Sequence, residues 1–530
     1  MPNTQIPFRS TGCFSKIICD YIDRKDSIAD LYGNFPDMAG FENQIKLKEE
    51  QFSENSRVVL VESLTSQYAQ TKGTEETLEN IQSLKNTNTF TIVTGHQLNI
   101  FTGPLYFLFK IVSTINLSKQ LKEKIPAKNF VPVYWMATED HDFEEINHFF
   151  VGDKKISWDV ESSGPVGRKS TETIDAVFQD FCSKIGGNEN AKYLQDLFKK
   201  AYIEHSNLTE ATRFLVNEMF GEYGLVIVDG DDAELKKQFT PFIEKELLEQ
   251  YAHLSIANTN SFLEENYKVQ VNPREINLFY IEDSIRERII LENGIYKVNN
   301  TGIQFSKDDI LVELKKFPDK FSPNVILRPL YQEVVLPNLC YIGGGGELAY
   351  WFQLKQLFVA SEIVFPILLL RNSVLLTSKK QSSKLRQLKL QYKDLFLEQE
   401  KLVNQVVTEF CQLDMNFEKQ KLALQNIFDE LKPLVSKTDI SFKGALEAQM
   451  VKQTKGLLHL EKRLLKAEKI KHKDIVERTK KLQDALFPRK GLQERNVNFA
   501  EFYEYYGSSL IETLLKELKP LSLKYSVIEL

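Results

Sequence analysis

The predicted fold follows from residues 89–148, which read TFTIVTGHQLNIFTGPLYFLFKIVSTINLSKQLKEKIPAKNFVPVYWMATEDHDFEEINH. Two apolar runs typical of β-strands, Thr89–Thr94 and Phe130–Ala137, flank a helical pattern from Pro104 to about Lys124. A strand, a crossover helix and a second parallel strand form a right-handed βαβ unit. Ligands of open α/β sheets bind outside the carboxyl ends of such strands. The polar residues after the two runs should therefore face one pocket.

The first run ends at Gly95-His96-Gln97, and Thr102-Gly103-Pro104 precede the helix. Pro104 suits the first turn of a helix, and Thr102 can act as its N-cap. Free N–H groups and the helix dipole make such a place an anion site for a phosphate or a carboxylate. A plain strand-to-helix turn explains the same residues equally well.

Several like charges follow the second run. This acidic cluster consists of Thr138, Glu139, Asp140, His141 and Asp142, with Glu144, Glu145, Asn147 and His148 beyond it. Such a cluster needs a metal ion, a ligand ammonium or nearby Arg and Lys to neutralise it. Glu139 or Asp142 could act as general base. His96 or His141 could transfer protons. The alternative is an acidic first turn of the following helix, which the helix dipole favours.

A tetraglycine segment gives the third candidate element of the pocket. Gly343–Gly346 lie between a predicted strand, Cys340–Ile342, and a predicted helix, so the backbone could approach a phosphate closely. A flexible hinge is the competing interpretation. The binding residues expected from this region are Arg328, Gln332, Gly344, Gly345, Glu347, Tyr350 and Trp351, the last three lining an adenine or amine pocket.

The remaining chain adds strands, an insertion and a long helical region. Gly224–Asp232 reads as a third parallel strand with an acidic end, and Ile363–Leu370 as the last buried strand. Short alternating strands between Asn277 and Glu313 predict a small antiparallel insertion. Heptad-spaced apolar residues from Lys379 to Leu486 predict two long helices that fold back as an antiparallel coiled coil, interrupted near Pro433.

These patterns predict an α/β protein with six segments. They are a helical N-terminal segment packing on the core (1–88), the first part of the core (89–160), a continuation with helical and small antiparallel β connecting insertions (161–321), the last part of the core (322–378), the coiled coil (379–486) and a C-terminal segment returning to the core (487–530).

Composition bounds the functional class. With 42% hydrophobic and 26% charged residues, the 530-residue chain is typical of soluble globular proteins. A net charge of −6 gives no general electrostatic reason to bind nucleic acid. The five cysteines show no C-x-x-C pair, which favours reduced thiols in a cytoplasmic protein. The chain begins without a signal-peptide pattern, and its most apolar run is too short to span a membrane.

At these motifs the sequence resembles the cysteine-adding enzyme family of bacillithiol biosynthesis. The matching segments are TGHQLNIFTGPLYFLFKI (94–111), PVYWMATEDHDFEEINH (132–148), SPNVILRPLYQEVVLPNLCYIGGGGELAYW (322–351) and LQERNVNFAEFYEYYG (492–507). The resemblance implies a Rossmann-like nucleotide-binding core with small insertions, similar to nucleotidylyl transferases and class I aminoacyl-tRNA synthetases. It also implies a projecting antiparallel coiled coil and a homodimer.

The implied reaction joins the carboxyl of L-cysteine to the amine of glucosaminyl malate in the last step of bacillithiol biosynthesis. A carboxylate and an amine do not form an amide unaided at useful rates. The resemblance therefore implies activation by an adenine nucleotide such as ATP, with Mg²⁺ as a candidate companion, as an adenylate or an acyl phosphate.

The residue patterns and the resemblance combine into one hypothesis. The turn Gly95–Pro104 holds an anionic group, the acidic cluster holds an ammonium and removes a proton, and Arg328 with Gln332 orients a carboxylate. Two alternatives stay open: a metal-dependent hydrolase that uses His96 and the acidic cluster, and a non-catalytic nucleotide-binding scaffold that uses the coiled coil for partners.

Overall fold

The computed structural model describes residues 4–69, 71–411, 413 and 415–530. These residues form two compact units. The larger unit contains residues 5–375 and 493–528, and the smaller unit contains residues 376–492 with residues 4, 529 and 530.

The strands of the described residues are β1 (Thr4–Ile6), β2 (Thr89–His96), β3 (Asn129–Met136), β4 (His148–Val151), β5 (Lys154–Ser157), β6 (Val226–Asp229), β7 (Leu278–Glu282), β8 (Ile285–Glu292), β9 (Ile295–Val298), β10 (Gln304–Phe305), β11 (Phe321–Pro323), β12 (Asn338–Gly343), β13 (Ile367–Leu370), β14 (Val374–Thr377) and β15 (Tyr525–Glu529).

The α-helices are α1 (Phe8–Thr11), α2 (Lys16–Ile22), α3 (Met38–Gln51), α4 (Glu54–Gln67), α5 (Glu75–Ser83), α6 (Tyr106–Lys124), α7 (Phe143–Ile146), α8 (Asp175–Lys184), α9 (Glu189–Tyr202), α10 (Leu208–Phe220), α11 (Ala233–Glu249), α12 (Tyr251–Asn266), α13 (Lys307–Lys316), α14 (Arg328–Val335), α15 (Gly345–Trp351), α16 (Lys355–Ala360), α17 (Lys379–Gln387), α18 (Gln399–Phe410), α19 (Glu418–Val435), α20 (Ser441–Lys471), α21 (Lys473–Leu486), α22 (Gln493–Asn496), α23 (Ala500–Tyr506) and α24 (Ser509–Glu517).

A five-stranded parallel sheet forms the centre of the larger unit. Its order is β13-β12-β2-β3-β6, and each neighbouring pair is parallel. Every residue of β2 is buried, as expected for a strand covered on both faces. Helix α6 connects β2 to β3, and its buried Leu117 and Leu121 pack in the core with Phe90 and Ile92 of β2. The predicted βαβ unit and the Rossmann-like fold class are confirmed.

The N-terminus of α6 differs from the prediction. Phe101, Thr102 and Gly103 have positive φ angles of 49°, 66° and 61°, and the helix begins only at Tyr106 with no side-chain cap. The Nδ2 of Asn498 donates to the carbonyl oxygens of Phe101 (2.8 Å) and Gly103 (2.6 Å). The chain reversal is thus held by the C-terminal segment, and the prediction of Thr102 as N-cap is wrong.

The predicted antiparallel insertion is confirmed as a five-stranded sheet of order β10-β9-β8-β7-β11. Its β8–β9 hairpin turns at Asn293 and Gly294, both with positive φ, as a tight hairpin turn requires. Strands β4 and β5 form a separate antiparallel pair. Strands β1, β15 and β14 pair in that order.

The smaller unit contains the antiparallel coiled coil, but its first arm is not one long helix. The chain there forms three helices, α17, α18 and α19, with a 3-10 helix at Tyr392–Phe396 between the first two, and returns through α20 and α21. The heptad spacing also predicts that Leu457, Leu460, Leu464 and Ala467 face the other arm, but Leu460 and Ala467 are exposed. Glu461 faces the other arm instead and pairs with Lys421 at 3.0 Å.

Among the described residues, no helix combines the length and the apolar character needed to cross a membrane.

Candidate active site

The cavity lies where the strands of the parallel sheet end. It has a volume of about 870 Å³ and is lined by residues at the carboxyl ends of β2, β3 and β12, by β7 and β8, and by loops. The sheet register places His96 beside Met136 and Gly343 beside Leu370, so these strands end at one edge. This is the crevice at which open α/β sheets bind their ligands.

The structure brings half of the predicted site residues into this cavity. Those that line it are Gly95, His96, Gln97, Glu139, Asp140, Arg328, Gly344, Glu347 and Tyr350. Those outside the lining are Thr102, Gly103, Pro104, His141, Asp142, Asn147, Gln332, Gly345 and Trp351.

The predicted residues outside the lining have other environments. Asp142 is exposed. Gln332 is fully buried and donates to Glu333 (2.9 Å), behind the guanidinium of Arg328. Trp351 stacks on the ring of Tyr341 with centroids 4.5 Å apart. The structure therefore does not place Asp142 with the other carboxylates of the acidic cluster.

Glu347 fixes the geometry of the glycine segment. Its carboxylate accepts hydrogen bonds from the N–H of Gly344 (2.8 Å) and the hydroxyl of Tyr341 (2.8 Å), and it pairs with Lys110 at 2.6 Å. Burial alone would raise the pKa of Glu347, but the charge of Lys110 and these hydrogen bonds lower it to about 2. The N–H of Gly344 therefore already donates to Glu347 and is not free for a phosphate, which the prediction for the tetraglycine segment had expected nearby.

Lys110 is a site residue that the sequence patterns did not reveal. It is buried on α6, and its Nζ also donates to the carbonyl of Gly95 at 2.6 Å. It therefore ties the end of β2 to the segment that follows β12. Lys110 lies one helical turn after Tyr106. The apolar periodicity of α6 identifies only the residues that face the core, so it did not mark Lys110 as a site residue.

Arg371 is the second such residue, and it follows directly after β13. It is 3% exposed and pairs with the fully buried Glu494 at 2.8 Å, while its guanidinium carbon lies 4.8 Å from the ring centre of Tyr106. The Nε of Arg371 is buried without a hydrogen-bond partner among the described residues. Its place at a strand end is a signal that sequence analysis could have used.

His96 is buried at the end of β2. Its ring packs against those of Tyr106 and Phe107, with centroids 5.4 and 5.2 Å away, and its Nε2 has no partner among the described residues. Burial, together with the charge of Lys110, lowers the pKa of His96 to about 3. An imidazole with so low a pKa is a poor proton acceptor near neutral pH, which argues against the predicted role in proton transfer.

Lysine and arginine side chains neutralise the acidic cluster. Lys236 is buried and lies 2.8 Å from Glu139 and 2.9 Å from Asp231, and Asp231 also pairs with Arg168. Burial raises the pKa of Glu139 against the opposing charge of Lys236. Glu139 is thus the carboxylate of this cluster best suited to accept a proton.

Asp140 differs from its neighbour Glu139. It accepts hydrogen bonds from the Nε2 of Gln97 (2.9 Å) and the backbone N–H of His141 (2.7 Å). Burial would raise the pKa of Asp140, but hydrogen bonds from His141 and Gln97 and the charge of Arg286 hold it well below its usual range. Asp140 is therefore a permanent negative charge in the cavity, suited to hold an ammonium.

The geometry gives no support to the metal-dependent hydrolase. Within residues 4–69, 71–411, 413 and 415–530, no three His, Cys, Asp or Glu side chains are grouped so that they could hold a metal ion. His141 points instead to Arg286, whose Nη1 lies 2.5 Å from its Nδ1.

Positive charge dominates the cavity. In the part of the chain that the structure describes, five of its lining arginines have no carboxylate within 4 Å: Arg274, Arg286, Arg288, Arg328 and Arg495. Three of them come from the antiparallel insertion and its preceding loop, and one from the C-terminal segment. These segments carry no catalytic signature in the sequence, because no sequence pattern shows that they reach the strand ends.

Known proteins match the whole chain. Residues 1–372 match the model of the "Bacillithiol biosynthesis BshC, N-terminal Rossmann-like domain", and residues 374–530 match that of the "C-terminal coiled-coil domain" of BshC. The resemblance inferred from the four motifs is thereby confirmed.

Three relatives illustrate the range of similarity, and each is named "Putative cysteine ligase BshC". The protein of Flavobacterium johnsoniae is 53% identical over 528 residues, and that of Flavobacterium psychrophilum is 52% identical over 530; both alignments cover 100% of each chain. The protein of Bacillus cereus is 29% identical over 545 residues, covering 97% of this chain and 98% of its own. With its parallel sheet, its coiled coil and these full-length matches, the chain belongs to the BshC family of bacillithiol biosynthesis.

Proposed function

We propose that this protein is a ligase that joins the carboxyl of L-cysteine to the amine of glucosaminyl malate, forming an amide. The observation that carries the proposal is the cavity at the strand ends, which combines unpaired arginines with the anionic Asp140 and the buried Glu139. Its two substrates present carboxylates and ammonium groups, and each group finds the opposite charge there. The names of the relatives support the same reaction class.

The carboxylates have different tasks in this proposal. Asp140, whose charge is permanent, holds the ammonium of the attacking amine. Glu139 accepts a proton from it, because burial raises its pKa above that of a hydrated carboxyl and so makes it the stronger base of the two. The free amine then attacks the cysteine carboxyl, the new carbon–nitrogen bond forms, and a carboxyl oxygen departs with the activating group.

Arg328 orients a carboxylate. Its guanidinium donates to the hydroxyl of Tyr350 (2.9 Å) and to Gln332 (3.3 Å), which fixes its plane, and it has no carboxylate partner among the described residues. A planar guanidinium held in this way binds a carboxylate with two parallel hydrogen bonds. Gln332 acts from behind the cavity as a positioning residue.

An adenine nucleotide would supply the leaving group that a carboxylate lacks. The residues present fit this anion: Arg328 and Arg495 line the cavity without a carboxylate partner in the described residues, and both suit phosphate oxygens. Since the described residues offer no ligand set of their own for a metal, Mg²⁺ would enter bound to the phosphates.

The direct test incubates the full chain with L-cysteine, glucosaminyl malate and ATP, and follows the adduct by mass spectrometry. GTP, CTP and UTP are run in parallel. The proposal predicts an adduct whose mass equals the sum of both substrates minus one water. Absence of the adduct with every nucleotide would contradict it. Calorimetry with each substrate separates an inactive ligase from a nucleotide-binding scaffold, because the scaffold binds neither L-cysteine nor glucosaminyl malate.

A further inference from the structure

Three arginines from outside the parallel sheet form one wall of the cavity. Arg286 and Arg288 belong to β8, and Arg274 to the loop before β7. Residues two apart on a strand face the same side of the sheet, and all three side chains line the cavity. We call Arg274, Arg286 and Arg288 the arginine wall.

The structure holds two members of the arginine wall in place. The guanidinium carbon of Arg286 lies 4.0 Å from the ring centre of Phe279. The backbone N–H of Arg274 donates to Oδ1 of Asn277 (3.0 Å), and its carbonyl accepts from Nδ2 of Asn277 (2.8 Å). Asn277 is itself fully buried and bound to Glu246. The ring of Phe279 therefore positions the side chain of Arg286, and the buried Asn277 fixes the backbone from which the exposed Arg274 extends.

The arginine wall forms no direct ion pair among the described residues, although the charges of Asp140 and Glu139 act on Arg286. Among the described residues, no carboxylate lies within 4 Å of any of its three guanidinium groups. The Nε of Arg286 is buried and has no hydrogen-bond partner there. Arg274 and Arg288 are exposed, so an anion from solution can supply the negative charge that the described residues do not place against them. A ligand with two carboxylates would supply that charge and use the forked donors of arginine.

Negative charge lies directly beside the arginine wall. The Nη1 of Arg286 contacts Nδ1 of His141 at 2.5 Å, and that nitrogen lies 3.6 Å from Oδ1 of Asp140. Gln97 donates to both Asp140 and Glu145 from the opposite side. The cavity thus pairs a cationic wall with an adjacent anionic patch, which matches a ligand that carries an ammonium and two carboxylates on neighbouring groups.

We infer that the arginine wall binds the malyl dicarboxylate of glucosaminyl malate and so sets the specificity for this substrate, which rests on the proposed function. The sugar amine then lies at Asp140 and Glu139. Cysteine and the nucleotide occupy the other side of the cavity, around Arg328, Arg371 and Arg495.

The test uses L-malate as a probe of the arginine wall, independently of catalysis. Calorimetry compares L-malate with L-lactate, which has one carboxylate fewer, on the wild type and on R288A and R274A/R288A. The wild type should bind L-malate at least tenfold more tightly than L-lactate. R288A should weaken L-malate binding about 10- to 100-fold, as expected for loss of a hydrogen bond between charged groups, and the double variant should abolish the preference.

A matched control removes one positive charge from the same antiparallel sheet. Lys297 of β9 does not line the cavity and pairs with Glu292 at its surface. K297A should leave L-malate binding within twofold of the wild type. An equal loss in K297A and R288A would show an effect of net charge alone and would overturn the assignment.

Kinetics separate failure of this inference from failure of the proposed function. In the ligase assay, R288A should raise KM for glucosaminyl malate at least tenfold and leave KM for cysteine within twofold. If adduct forms but KM for glucosaminyl malate is unchanged in R274A/R288A, the arginine wall is not its subsite. If no adduct forms, yet L-malate binding depends on these arginines, the reaction is wrong and the dicarboxylate site stands.

Discussion

Replacing His96 by Gln tests the burial of His96 at the end of β2 through the pH dependence of the free energy of unfolding. His96 is 9% exposed and has a pKa of about 3 in the folded protein, against 6.5 when hydrated. Below pH 6.5 the unfolded chain binds a proton that the folded protein refuses, so stability falls as pH falls. At pH 5 this difference costs about 2 kcal/mol, and at pH 7 about 0.2 kcal/mol.

The assay is urea unfolding followed by tryptophan fluorescence at pH 5, 6, 7 and 8. The three tryptophans are Trp135, Trp158 and Trp351, and all of them lie in the larger unit. Their signal therefore reports the unit that contains His96. Between pH 7 and pH 5 the wild type should lose about 2 kcal/mol more than H96Q, since Gln carries no proton in either state.

The range above pH 7 is the internal control. There the imidazole is neutral in both states, so the difference in unfolding free energy between the wild type and H96Q should be constant. Parallel curves down to pH 5, within about 0.5 kcal/mol, would refute the reasoning. They would mean that His96 titrates in the folded protein as it does in water.

Three further changes test the packing around the site, each measured by the same urea assay. E494Q leaves the buried Arg371 without its 2.8 Å ion-pair partner and should cost about 3–5 kcal/mol; a loss below 1 kcal/mol would contradict a buried pair. G103A places a Cβ 2.6 Å from that of Asn99 at φ 61° and should cost more than G152A, where φ is 58° and no atom lies within 4 Å; equal losses would show backbone strain alone. L117A should lower the free energy of unfolding by about 2–5 kcal/mol, and a loss close to zero would exclude a close-packed contact between the sheet and α6.

The parallel sheet could be predicted because its signal is local. The apolar runs that became β2 and β3 are continuous, and the helix between them has a regular stripe. The rule that ligands bind at the carboxyl ends of parallel strands then placed His96, Glu139 and Asp140 in one cavity. The same rule applied to β13 would also have found Arg371.

The remaining features depend on contacts between residues far apart in the sequence. Asn498 shapes the turn before α6 across almost 400 residues, so the local Thr102-Gly103-Pro104 pattern could not reveal it. Asp142 lies two residues from Asp140, but only the path of the chain after β3 decides which of them faces the cavity. The arginine wall belongs to an insertion whose position relative to the sheet no periodicity encodes.

The most direct test of the central claim compares D140N with D142N in the ligase assay. Asp140 lines the cavity and Asp142 does not, and the Asn side chain at 140 keeps the oxygen that accepts from the N–H of His141. If amide formation takes place in this cavity, D140N should lower kcat/KM about 100-fold or more, and D142N should stay within about threefold of the wild type. Equal activities of the two variants, or a selective loss in D142N, would contradict the account.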